Sequence, residues 1–117
     1  MKSISIILRR PPYGSVEAAE AIRHALGGKT EDMDVNLILL DNGVHVARKG
    51  QDISGTSYLC AEDGIRDCID MGVSVYADNL SMINAHLRAD DMVEGVIFSE
   101  GSEIADVISD SEITMIF

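Results

Sequence analysis

Aromatic side chains are scarce, at 4% of the chain with no tryptophan. An aliphatic core rich in Ala and Met follows, and neither an aromatic cage nor a base-stacking platform is expected. Basic residues are also few: nine Lys and Arg face twenty Asp and Glu, for a formal net charge of −11. Such a balance argues against a nucleic-acid backbone or an anionic membrane as the main partner. Apolar runs such as Leu37–Leu40 are far too short to cross a bilayer. No cationic segment followed by an apolar stretch reads as a secretory signal, so a cytoplasmic protein is the expectation. Two cysteines, Cys60 and Cys68, do not make a disulfide framework. On one helix their spacing is roughly 12 Å of rise, beyond disulfide reach. The three histidines have no ligand-like spacing. No metal and no cofactor are expected.

What is present is a chain of 117 residues, 46% hydrophobic, suited to a single domain over residues 1–117 with a real core. Ser3–Leu8 (SISIIL) is β-branched and predicts a first strand, which Pro11 and Pro12 stop. Ser15 is placed to cap a helix from Val16 to Leu26, with Val16, Ala19, Ile22 and Leu26 at helical spacing. Gly27-Gly28 is expected to end it. Asp34–Leu40 is almost continuously apolar, as in strands of a parallel sheet buried on both faces.

Asp41-Asn42-Gly43 is turn chemistry, and Val44–Ala47 suits a short helical piece. A helix is predicted from Thr56 to Met71, with Tyr58, Ala61, Ile65, Cys68 and Ile69 on one stripe. Val73–Ala77 is a third strand, Asn79–Leu87 a helix, and Val96–Phe98 a short strand or a buried turn. Ser102 is expected to cap a last helix with Ile104, Ala105 and Ile108 inward, before a terminal strand at Ile113–Phe117. The alternation predicts an α/β fold: a three-layer α/β/α domain around a mainly parallel sheet of about five strands.

Ligands of open parallel sheets gather beyond the carboxyl ends of the strands. That edge would hold Arg9–Ser15, Asp41–Gly43 and Asp78–Ser81. The first loop offers the N–H groups of Gly14, Ser15 and Val16 to an anion; the plainer reading is a sharp exit with Ser15 as cap. His45, just after the Asp41–Gly43 turn, is the one histidine near this edge. Asp78 is a candidate carboxylate, or simply the N-cap of the following helix. Cys68 shares the apolar stripe and reads as a core residue, whereas Cys60 lies off it. Neither is expected at a strand end or a helix N-terminus, where a thiolate would be stabilised.

Pro11-Pro12-Tyr13-Gly14-Ser15, then Asp41-Asn42-Gly43-Val44 and Lys49-Gly50-Gln51, resemble segments of the DsrE/DsrF/TusC-like proteins. Met71-Gly72, Val73–Ala77, Glu94-Gly95-Val96, Gly101-Ser102 and Ile113–Phe117 continue the likeness in order. The resemblance implies a DsrE-like domain that assembles into dimers, trimers or hexamers and takes part in persulfide relay. Family members that carry sulfur have a cysteine after the third strand. The match puts Asp78 and Ser81 at the two thiol positions, which implies an accessory or non-catalytic member. Such a member would form a homo-oligomer, or a hetero-oligomer with a cysteine-bearing DsrE-like subunit.

Two alternatives stand beside this one. The first is a sulfurtransferase using Cys60. The second is a small-ligand or anion-binding module walled by Tyr13, Gly14, Ser15, Asn42, Gly43, His45, Asp78 and Ser81.

Overall fold

The computed structural model describes residues 2–117. Five parallel strands form one sheet: β1 (Ser3–Leu8), β2 (Asp34–Leu39), β3 (Ser74–Asp78), β4 (Ile97–Ser99) and β5 (Ile113–Ile116), in the order β4-β3-β2-β1-β5. Four α-helices connect them: α1 (Glu17–Thr30), α2 (Ala61–Asp70), α3 (Asn79–Asn84) and α4 (Gly101–Ser109). Short 3-10 helices occupy Asp41–Ala47 and Ala89–Asp91. The first strand is interior, paired on both sides, with Ile4 opposite both Val35 and Ile113.

The layering follows from the order of the strands. The steps from β1 to β4 run in one direction across the sheet, so right-handed crossovers place their helices on one face. The return from β4 to β5 runs the other way and puts α4 on the opposite face. Ile6, Leu8, Leu37 and Val75 accordingly pack with Ala21, Ala25, Ile65, Cys68 and Met82. Ile7 and Ile38 pack with Ile104, flanked by Tyr76 and Val107. The predicted three-layer α/β/α architecture is therefore present, with one layer formed by α4 alone. Strand β2 reads as continuously apolar because its middle is buried on both faces.

Several expected element ends move. Helix α1 begins at Glu17 and passes through Gly27-Gly28 to Thr30. A Cβ at Gly28 would lie 3.0 Å from the Val35 side chain, so the glycine serves close helix–strand packing and is no terminator. Ser15 does not cap: Val16 is the N-cap residue and no side chain closes that helix end. Thr56–Cys60 is loop, and α2 starts only at Ala61. Helix α4 is capped by Glu100 in a reciprocal pairing with Glu103 rather than by Ser102. Ala105 points to solvent there, and Val107 takes the inward place. Val96–Phe98 resolves as a strand shifted by one residue, Ile97–Ser99.

Candidate functional site

The carboxyl edge of the sheet is laced together by side-chain hydrogen bonds. At the end of β3 the Asp78 carboxylate accepts Ser81 N–H at 3.0 Å and Ser81 Oγ–H at 2.7 Å. The first of these makes Asp78 the N-cap of α3. The buried Ser81 hydroxyl in turn accepts Asp41 N–H at 2.8 Å. Asp41 has left-handed backbone, φ 52°, and its carboxylate takes Arg9 Nε–H at 2.9 Å. A chain of hydrogen bonds thus runs from β3 through the loop after β2 to the loop after β1. Next in sequence, Asn42 is exposed and Gly43 is buried. A Cβ at Gly43 would collide with the Leu8 carbonyl oxygen, so only glycine fits where these two loops cross.

The outgoing loops of β3 and β4 lead to helices on opposite faces of the sheet. This is the arrangement that opens a crevice in doubly wound folds. Asn79 Nδ2–H bridges it to Glu100 Oε1 at 2.9 Å.

A second network lies under the first loop. The half-buried Tyr13 donates its hydroxyl to Gln51 Oε1 at 2.5 Å and accepts Ala61 N–H at 3.3 Å. Gln51 Nε2 reaches the carbonyls of Val46 and Arg48 at 2.9 and 2.8 Å, while Gln51 N–H goes to Glu62 Oε1 at 3.1 Å. The Tyr58 ring lies 5.3 Å from that of Tyr13, and its hydroxyl accepts Gly14 N–H at 3.1 Å. This last bond takes up one of the backbone donors expected to face an anion.

The titratable groups here answer to burial and to their neighbours. Burial, reinforced by the neighbouring Cys60, raises Tyr13 above the ordinary phenol value. Burial, and then Arg48, pushes His45 below the usual imidazole value. The Ser15 hydroxyl beside Glu17 is the main cause of that carboxyl's lowered value.

Cys60 is placed otherwise than the helical pattern suggests. It is the N-cap residue of α2, half-buried and next to Tyr13 at the carboxyl edge. The expectation that neither thiol stands at a helix N-terminus is corrected for Cys60. Tertiary bonds hold residues 56–60 out of the helix, among them the Gly14–Tyr58 contact. Cys68 is fully buried in the core as expected, and burial pushes its thiol up to about 12.

The structure therefore brings Asp78 and Ser81 together, and separately Tyr13, Gly14 and Cys60. Gln51, Glu62 and Tyr58, which tie the second group, carry no pattern that marks them as partners beyond the Lys49-Gly50-Gln51 segment. Among the described residues no cluster of His, Cys, Asp and Glu suits a metal ion. No helix among them is long and apolar enough to cross a membrane.

A five-stranded parallel sheet with this strand order and this edge defines a class. The profile of the DsrE/DsrF-like family matches residues 2–117, and the chain belongs to that family. It is 34% identical over 95 residues to the "intracellular sulfur oxidation protein DsrF" of Allochromatium vinosum, covering 80% of this chain and 70% of that protein. It is 29% identical to an uncharacterised protein of Methanocaldococcus jannaschii, covering 97% of each. Among solved structures, the YchN protein of Escherichia coli superposes with a TM-score of 0.91 at 20% identity, covering all of both chains. A protein of unknown function from Methanobacterium thermoautotrophicum follows at TM-score 0.71 and 13% identity, covering 97% of each. These two structures bear on the fold.

Proposed function

We propose that this chain is an accessory subunit of a sulfur relay, one that does not carry sulfur at its strand end. Family membership and the likeness to a protein named for intracellular sulfur oxidation support the relay. The observation that carries the accessory role is at Asp78 and Ser81. A persulfide carrier needs an accessible thiolate, and these side chains are a carboxylate and a buried hydroxyl, each engaged in hydrogen bonds. The subunit would act in a homo-oligomer or beside a cysteine-bearing DsrE-like subunit, which native mass spectrometry of the protein alone and of the mixture can test.

The decisive experiment is intact-mass analysis after exposure to a cysteine desulfurase and cysteine. The expected result is no gain of sulfur by the wild type and a gain by Asp78→Cys. A gain by the wild type would overturn the accessory role.

One observation favours a second reading, a sulfurtransferase using Cys60. That thiol sits at a helix N-terminus, half-buried, on the same edge of the sheet. In that case the wild type would gain one sulfur and Cys60→Ser would gain none.

A further inference from the structure

A groove of about 430 Å³ opens at the carboxyl ends of β1, β2 and β5. Its size falls within the roughly 300–1,000 Å³ typical of small-molecule sites. In a chain with only nine Lys and Arg, two adjacent arginines, Arg9 and Arg10, line it together with Asn42. The rest of its wall is Asp41, whose carboxylate is paired with Arg9, and the apolar Pro11, Ile116 and Phe117. Ile116 is 69% exposed, a large hydrophobic side chain left uncovered beside two cations.

Arg9 is oriented before any ligand arrives. Its Nε–H is spent on the Asp41 carboxylate, which leaves the other guanidinium donors for a second acceptor. Asp41 is itself held by Ser81, and Ser81 by Asp78. Arg10 forms no ion pair among the described residues. Guanidinium groups match the planar oxygens of a carboxylate, and pre-orientation lowers the entropic cost of binding.

We propose that this groove binds a small organic carboxylate, its anionic end on Arg9 and Arg10 and its apolar body over Pro11, Ile116 and Phe117. The site is independent of the relay reading, because it uses neither cysteine and no partner subunit.

The test is a titration of the ¹⁵N-labelled protein with benzoate, followed by NMR at constant ionic strength. Expected are saturable shifts at the amides of Arg9, Arg10, Asn42 and Phe117, and none with the uncharged benzamide. Arg10→Gln, at an exposed position, should weaken benzoate about tenfold, the loss of one charge-assisted contact. Ser81→Ala, which frees the Asp41 loop, should weaken it by a smaller factor. Unsaturable or scattered shifts, equal shifts with benzamide, or sulfate competing as well as benzoate would each overturn the proposal. So would unchanged affinity in Arg10→Gln.

Discussion

The hydroxyl of Ser81 accepts the backbone N–H of Asp41 at 2.8 Å, so one small side chain on α3 fixes the loop that leaves β2. Ser81 also donates to Asp78, and both of its roles lie in a buried setting. Ser81→Ala should destabilise the fold by about 1–3 kcal/mol, because it removes a buried hydroxyl that makes two hydrogen bonds, to Asp78 and from the Asp41 N–H. Urea unfolding would show this as a lower midpoint at unchanged slope. A shift no larger than that of an exposed-site control would mean that the Asp41 amide finds another partner.

Gly43 is the second constraint on this edge. Gly43→Ala places a methyl group against the Leu8 carbonyl oxygen, where the nearest atoms are all Leu8–Arg9 backbone and no flexible side chain can yield. A loss of about 3 kcal/mol or more is expected, above the usual cost of overpacking. Gly27→Ala is a suitable control, since nothing lies within 4 Å of a Cβ there. That variant should be neutral or slightly stabilising, as Ala is favoured over Gly inside a helix.

The two thiols should react differently. Cys60 is half-buried at the carboxyl edge, whereas Cys68 is fully buried on the inner face of α2. Titration with a chromogenic disulfide should find one reactive thiol in the native protein and two in denaturant. Cys60→Ser should abolish the native signal. Two rapid native thiols would contradict the packing around Cys68.

Alkaline stability follows from the same buried thiol. The Cys68 value rises from 9.0 to about 12 on folding, so the unfolded chain loses this proton first. The stabilisation is complete below pH about 9 and is lost as pH rises toward about 12. Cys68→Ala should start less stable, from the small cavity, and show a flatter stability profile across that window. Tyr13, also raised, contributes in the same direction, so Tyr13→Phe should flatten the profile further, at pH above about 10. Thermal unfolding between pH 8 and 11 measures both, and parallel profiles for wild type and Cys68→Ala would refute the assignment.

Much of this architecture is legible in the residues. The runs SISIIL and DVNLIL can bury both faces of a strand, and they do so in β1 and β2. Asp78 reads as a helix cap because a carboxylate three residues before Ser81 can reach its N–H, and it does. Gly27-Gly28 misleads because two glycines usually end a helix, yet Gly28 is needed where α1 presses on Val35. Tyr58 fits the helical spacing of α2 but is drawn off by a bond to Gly14, 44 residues away, which local pattern cannot express. The same long-range bond hides the placement of Cys60 at a helix start. The Arg9–Asp41 pair and the groove beside it likewise join segments 32 residues apart, through chemistry that neither segment shows alone.

The interior position of β1 bears on how the chain is made. Strand β1 is flanked on one side by β5, and the tie of Ser3 to Glu112 spans 109 residues. Until that segment emerges from the ribosome, one edge of SISIIL stays unpaired. Pairing that closes so long a loop is slow, and an apolar edge left open is prone to stray association. Nascent chains should therefore depend on chaperones until Ile113–Ile116 has been translated.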